Sequence, residues 1–333
     1  MTEPRFDVLG IGNAIYDVLA HVEDDFLVRE DLIKGSMRLI DQDEAVRLYS
    51  HMGPALQASG GCAGNTASGV ASFGGRAAFI GKVAADELGQ SYRHDMRAFG
   101  VAYDTAELVD GPATARSMIL VSPDGERTMN TFLGACQNLT EDDIDADVVS
   151  AAAITYLEGY LWDPPLAKLA FRKAAEIAHA AGRKVAITLS DSFCVDRFRE
   201  EFLELIRTGT VDILFANEHE MRALYQTADL NSAVEAVRGD CALTVVTLGA
   251  EGSMAVTPTE TVYTAAVKLD RVVDLTGAGD LYASGFLFGL ARDFDYGSCS
   301  ELGSLAASEV ISHMGARPEA SLRQLAEQNG FPL

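Results

Sequence analysis

The chain has 333 residues, 48% hydrophobic and 23% charged, a composition that buries a full core without disulfides or structural metal. Lys plus Arg number 26 against 49 Asp plus Glu, and the resulting formal charge of −23 repels nucleic-acid backbones and anionic membrane surfaces. An anionic small substrate stays open, because a nest of backbone N–H groups holds phosphate even inside an acidic protein.

The opening, MTEPRFDVLGIG, has neither the basic n-region nor the apolar stretch of a leader. No run of ~18 apolar residues occurs, so a cytoplasmic protein without a membrane partner is expected. A first strand is predicted over Phe6 to Leu9, followed by a region from Ile15 to Ile40 with only a weak helical period. A helix is predicted from Asn65 to Phe73, a strand from Ala77 to Ile80 and a helix from Asp86 to Phe99. Ala115 to Val121 and Arg127 to Phe132 flank the turn Pro123-Asp124-Gly125 and read as a hairpin. With the 15–45 region, residues 103–136 are expected to form a small β flap on one α/β domain spanning 1–333.

From residue 150 strands and helices alternate: strand Ala153 to Leu157, helix Pro165 to Ala181, strand Val185 to Leu189 and helix Arg197 to Arg207. Strand Val211 to Phe215, helices over 218–238 and strand Leu243 to Thr247 continue the rhythm. Leu166, Leu169, Ala170, Ala174 and Ile177 fall on one side of the first of these helices. Glu260 to Val267 reads as an antiparallel edge hairpin, and two helices, Asp280 to Leu290 and Leu302 to Ser312, close the chain. Such alternation predicts a mostly parallel, twisted sheet with helices on both faces, a three-layer α/β/α body.

The strongest chemical signal is Asp274-Leu275-Thr276-Gly277-Ala278-Gly279-Asp280 ahead of an apolar helix. Small residues at a loop-to-helix junction leave N–H groups bare at the positive end of the helix dipole, which suits an anion. Asp280 beside such an anion either takes a proton from an attacking hydroxyl or merely favours its own helix N-terminus. Gly10 and Gly12 lack the third glycine of a dinucleotide fingerprint, which disfavours an oxidoreductase. Asn13 and Asp17 read equally as hydroxyl-binding groups at the end of the first strand or as turn and surface residues. Gly60, Gly61 and Asn65 form either a close backbone approach with an amide for a polar ligand, or a plain helix entry.

Asn217 and Glu220 have capping-box spacing, and Glu220 is also placed to hold a water of hydrated Mg²⁺. Arg116 and Arg127, on the flap, either neutralise transferring phosphoryl charge or pair with surface carboxylates. The five cysteines (62, 136, 194, 241 and 299) make no CxxC pair and read as ordinary buried thiols. The six histidines form no metal-ligand spacing. A ligand-binding module without catalysis would need Asp280 lost or the 277–279 turn filled, and neither is seen.

These motifs, in this order, resemble the ribokinase-like, or PfkB-type, kinases of carbohydrates and nucleosides from about residue 4 to 320. The resemblance rests on Gly60-Gly61 with Asn65, on Gly81-Lys82-Val83-x-x-Asp86-x-x-Gly89 and on Asn217-x-x-Glu220. Thr247-Leu248-Gly249-Ala250-Glu251-Gly252 and the 274–280 block, with Leu275 where threonine is common, complete it. It implies a ribokinase-like body with a small β-sheet lid, and ATP-dependent phosphorylation of a primary hydroxyl with Mg²⁺. Asp280 would be the base, and the N–H groups of Gly277, Ala278 and Gly279 the anion hole. Asn217 and Glu220 would organise Mg²⁺ and phosphates, with Ser190, Thr247, Gly249 and Gly252 at the nucleotide. Asn13, Asp17, Gly60, Gly61 and Asn65 would hold sugar hydroxyls. A monovalent cation such as K⁺ would sit on carbonyls near Asp274, Thr276, Ser312 and Gly315. The state would be a monomer or a lid-mediated homodimer.

Within the family, Thr131-Phe132-Leu133-Gly134-Ala135 and Leu157-Glu158-Gly159-Tyr160-Leu161 resemble adenosine kinases more than ribokinases. Phe132 and Leu133 would line a purine slot, Arg127 would fall near the transferring phosphoryl group, and Phe193 would lie by the nucleotide. A fructose, ribose or 2-keto-3-deoxygluconate kinase and a kinase of another nucleoside are the alternatives.

Overall fold

A computed structural model describes residues 3–269 and 271–333; the first two residues of the opening stretch read above for a leader lie outside the described residues. In chain order the first part carries β1 (Phe6–Ile11), β2 (Ile15–His21), α1 (Asp24–Arg29), β3 (Met37–Leu39), α2 (Gln42–His51) and β4 (Leu56–Ser59). Then come α3 (Cys62–Ser72), β5 (Ala77–Ile80), α4 (Glu87–Ala98), β6 (Val101–Ala102), β7 (Ala115–Val121) and β8 (Arg127–Phe132). The second part carries α5 (Ala146–Ser150), β9 (Ala152–Glu158), α6 (Pro165–Ala180), β10 (Lys184–Thr188), α7 (Ser192–Arg207) and β11 (Ile213–Asn217). It continues with α8 (Glu218–Leu224), α9 (Leu230–Asp240), β12 (Leu243–Thr247), β13 (Ser253–Val256), β14 (Thr261–Thr264), α10 (Ala278–Leu290), α11 (Tyr296–Val310) and α12 (Leu322–Gln328).

The large sheet runs β14-β13-β12-β11-β10-β9-β1-β5-β6, parallel from β12 to β6 and antiparallel only at the β13–β14 edge. Its strands are apolar on both sides because both faces are covered. Val185 and Ile187 pack under α5 to α9, while Ala186 between them faces α3, α4, α10, α11 and α12. This is the expected three-layer arrangement. A second sheet, β3-β8-β7-β2-β4, stands over the carboxyl ends of the large one. One of its faces carries α1 and α2 on Val18, Met118, Leu120 and Phe132. The other, with Leu19, Ile119, Val121 and Met129, looks into the cleft.

Several expectations are corrected. Ile15–His21, whose sequence shows only a weak helical period, is a strand of the flap expected over 15–45; apolar residues on both faces hide its alternation. On α6, Leu166 and Leu169 are exposed, and the sheet-facing side is Ala167, Ala170, Phe171, Ala174, Ala175 and Ala178. Small side chains let that helix approach the sheet closely. The edge hairpin begins at Ser253, earlier than expected, and α12 is a third closing helix. Among the described residues no helix is long and apolar enough to cross a membrane.

Candidate active site

The carboxyl ends of β9, β10, β11 and β12 and the N-terminus of α10 open onto one cavity of about 530 Å³ beneath the second sheet. Open parallel sheets bind ligands at this end, where strand-to-helix turns present unpaired polar groups. Asp17, Gly61, Asn65, Arg127, Ser190, Asn217, Glu220, Thr247, Thr276, Gly277, Ala278, Gly279 and Asp280 all line it. Residues spread over more than 260 positions of sequence are thus brought together.

Gly277 caps α10 in the left-handed region (φ 77°), and a Cβ there would come within 2.8 Å of the Ala316 Cβ. The turn therefore needs glycine both for its dihedral and for the close approach. Of the three N–H groups expected to face an anion, that of Ala278 donates to Leu275 O at 3.3 Å. The Asp280 carboxylate accepts from Asn65 Nδ2 at 2.8 Å and from the Cys62 thiol, and its carbonyl accepts from Thr66 Oγ1 at 3.1 Å. Burial pushes its pKa up, against the pull of Asn65, Cys62 and Arg317. Cys62 is therefore not an ordinary buried thiol: it opens α3 and faces the cleft.

The Gly60-Gly61 turn is required by contacts from both sides. A Cβ on Gly60 would collide with the Asp17 carboxylate, and one on Gly61 (φ 86°) would collide with Asn13 O. Asp17 is pushed up to about 7 by burial, with Arg317 and Arg127 opposing and Asp280 and Asp274 adding to the rise. Asn13 turns away from the central cavity: its Nδ2 donates to Glu158 Oε1 at 2.8 Å and its backbone N to Glu158 Oε2 at 3.2 Å. Ala63 N, in the first turn of α3, adds a third donor at 3.0 Å. Glu158, 1% exposed, is pushed up to about 7 by burial in spite of these bonds. The sequence reading gave Glu158 no role. Its signal was an acidic residue at the carboxyl end of an otherwise apolar strand.

Asn217 and Glu220 form the capping box the spacing predicts, with Asn217 Oδ1 accepting from Glu220 N at 2.9 Å and Glu220 Oε2 from Asn217 N at 3.0 Å. Glu220 is buried, which pushes it up to about 7. Both residues still line the cavity, so capping and cation organisation are compatible. Among the described residues no cluster of three or more His, Cys, Asp or Glu could hold a metal alone. The donor set suits Mg²⁺, which keeps its waters and takes one or two carboxylates plus substrate phosphates. Ser190, at φ 72°, accepts from Tyr160 N at 3.0 Å, while Gly249 and Gly252 shape the turn after β12 without lining the cavity.

Asp274 is fully engaged: Oδ1 accepts from Thr276 N at 2.8 Å, Oδ2 from Gly315 N at 2.9 Å, and Arg127 forms an ion pair with it across the cleft. The Ser312 hydroxyl turns back to Glu309 O at 2.6 Å. On β8 the side-chain period of two sends Arg127, Met129 and Thr131 into the cleft. Phe132 therefore packs on the helix-covered side and lines no slot, a correction to its expected place. Arg116 likewise faces away, toward Asp86 and Tyr49. Leu133 opens with Asn13 onto an adjoining cavity of about 700 Å³, walled by Met37, Leu39, Met129 and Phe198. Phe193, 65% exposed, also lies on that cavity rather than by the central one.

The profile of the pfkB family carbohydrate kinases matches residues 39–322. A solved adenosine kinase from Sinorhizobium meliloti is 57% identical, with a TM-score of 0.93 over 98% of this chain and 100% of that one. A solved probable sugar kinase from Rhizobium etli is 52% identical, with a TM-score of 0.93 over 98% of this chain and 99% of that one. The 5-dehydro-2-deoxygluconokinase of Shouchella clausii is 30% identical over 76% of this chain and 80% of its own length.

Proposed function

We infer, from the premise that this chain belongs to the pfkB family of carbohydrate kinases, that its acceptor is the 5′-hydroxyl of adenosine. The coarser statement needs no inference: the chain has the ribokinase-like fold and is a phosphotransferase with a hydroxyl acceptor on a small nucleoside or sugar. Kinases of this family use ATP and Mg²⁺. The observation that carries adenosine is the 700 Å³ cavity beside the Asp280 cavity, sharing Ile15, Met129, Thr131 and Tyr160 with it. Met37, Leu39, Leu133, Phe193 and Phe198 give it apolar walls that suit the faces of a purine, beside polar groups of Asn13, Arg38, Asp163, Asp191 and Arg197.

In this reading the ribose lies over Gly60-Gly61 between Asp17 and Asn65, with its 5′-oxygen toward Asp280. Asp280 takes the hydroxyl proton as that oxygen attacks the γ-phosphorus, and ADP leaves from the far side. The N–H groups of Gly277 and Gly279 and the guanidinium of Arg127 balance charge on the equatorial oxygens, while that of Ala278 is taken by Leu275 O. Mg²⁺, held through Glu220 and Asn217 with the phosphates, would supply neutralisation of the triphosphate. The second sheet serves as the lid of one kinase unit, 1–333. Its expected segments, 15–45 and 103–136, carry four of the five strands of that sheet, and Leu56–Ser59 is the fifth.

A sugar acceptor is the second reading, favoured by the 52% identity to a probable sugar kinase. Thermal shift and initial rates with Mg-ATP separate the two. Adenosine should raise Tm more than fructose, ribose or 2-keto-3-deoxygluconate, since ~100 Kd of ligand adds about 2.7 kcal/mol to the native state. A shift with a sugar and none with adenosine would move the acceptor and leave the phosphotransferase standing.

A further inference from the structure

Three consecutive residues after the α11 loop each touch a different part of the cleft floor. Gly315 N donates to Asp274 Oδ2 at 2.9 Å, Ala316 packs against Gly277, and Arg317 reaches under the Gly60-Gly61 turn. The Arg317 guanidinium, in a residue 8% exposed, donates through Nε to Ser59 O at 3.0 Å and through Nη1 to Gly64 O at 2.8 Å. Its third nitrogen meets Met96 Sδ at 3.3 Å. No described carboxylate forms an ion pair with it, which is unusual for a buried cation. Tyr92 supports the same turn by donating to Gly60 O at 2.9 Å.

We propose that Arg317 is a positioning residue for phosphoryl transfer: through Ser59 and Gly64 it fixes the Gly60-Gly61 turn beneath the acceptor, and its charge offsets Asp17 and Asp280. The proposal rests on the site reading above. Planarity matters, because one guanidinium spans two carbonyls that a lysine ammonium at the end of a flexible stem holds less well. The charge matters because Asp17 and Asp280 are both buried in one cleft, the charge of Asp280 adds to the cost of ionising Asp17, and Arg317 opposes the rise at both. Other groups face the same two carboxylates: Cys62 from α3, Tyr92 from α4, Arg127 from β8, Tyr156 and Glu158 from β9, and Asp274 from the loop before α10. Asp95 of α4 also faces Arg317.

The test compares the parent chain with Arg317→Gln and Arg317→Lys. Carbon-13 titration of the aspartate carboxyls without substrate, assigned with Asp17→Asn and Asp280→Asn proteins, reads the charge directly. In Arg317→Gln the two carboxyls should titrate about one pH unit higher, with Arg317→Lys restoring them. With the acceptor the parent uses, kcat/KM of Arg317→Gln should fall about 10²-fold and its acid limb should move up in parallel. Arg317→Lys should keep the limb and raise the acceptor KM several-fold. Unshifted carboxyls in Arg317→Gln overturn the proposal. If that protein does not fold, a parent-like acceptor KM in Arg317→Lys overturns it. A parent that phosphorylates none of the acceptors sinks the kinase reading alone, since the titration still decides the electrostatic claim.

Discussion

In the proposed mechanism the chemistry at the scale of one residue falls to Asp280. It is a carboxylate in the first turn of a helix, so the helix favours its charge, yet burial disfavours that charge and pushes its pKa up. Asn65 Nδ2 and the Cys62 thiol hold it in one orientation. A carboxylate so held would, in the proposed role of base, receive a proton from one direction. Asp280→Asn preserves the shape and removes the basicity, so kcat should fall ~10²–10⁴-fold while nucleotide Kd holds or tightens slightly. The lost helix-terminal charge costs only about 0.3–1 kcal/mol. Turnover within about threefold of the parent, measured beside nucleotide Kd, would remove Asp280 from the base role and send the search to Asp17.

At the scale of elements, the site depends on how two loops meet at the N-terminus of α10. Val273 N donates to Ile311 O at 2.8 Å, and Asp274 bonds to Gly315 N, so the loop before α10 and the loop after α11 move together. The turn at the N-terminus of α10, the proposed anion hole, is thus only as fixed as that pairing. A monovalent cation on the carbonyls of this junction, near Asp274, Thr276, Ser312 and Gly315, would hold it further. Replacing K⁺ with a bulky organic cation, at constant ionic strength and saturating Mg²⁺, should then lower kcat several-fold and leave the fold intact by circular dichroism. Full turnover in the organic cation would mean that the Asp274 bonds and the Arg127 ion pair suffice. The sequence shows the α10 turn plainly, since Gly277-Ala278-Gly279 precedes an unbroken apolar run. Its partner loop at 311–317 carries no such pattern, and Arg317 stood unread because nothing in its neighbours announces burial.

For the whole molecule, the alternation of strands and helices after residue 150 was legible because each strand is a short apolar run between helices. Ala115–Val121 and Arg127–Phe132 were likewise readable, since a Pro-Asp-Gly turn separates them. What stayed hidden was tertiary: which face of β8 meets the cleft, and that Glu158 is held by Asn13 and Ala63 from two distant segments. Burial raises the pKa of four carboxylates at the site, Asp17, Glu158, Glu220 and Asp280, with a consequence for the molecule's stability. Asp17 rises from 3.8 to about 7, and Glu158 and Glu220 from 4.5 to about 7. Between these limits the native state binds more protons than the unfolded one, so stability falls as pH rises from about 4 to about 7 and then levels. Carboxylates lowered by hydrogen bonds, such as Asp124 at about 2, act oppositely, but only in more acid solution. The net charge of −23 adds self-repulsion of the same sign as the buried groups, and salt separates the two. Surface repulsion is screened within a Debye length of about 8 Å at physiological ionic strength, whereas buried groups are screened much less. Tm should therefore fall between pH 5 and pH 7.5 in dilute buffer, and by a smaller but still measurable amount in concentrated tetramethylammonium chloride, where the buried groups supply what is left. A slope that disappears in the salt would assign the whole effect to the acidic surface, and would mean that the buried site carboxylates ionise in the native protein as readily as in the unfolded chain.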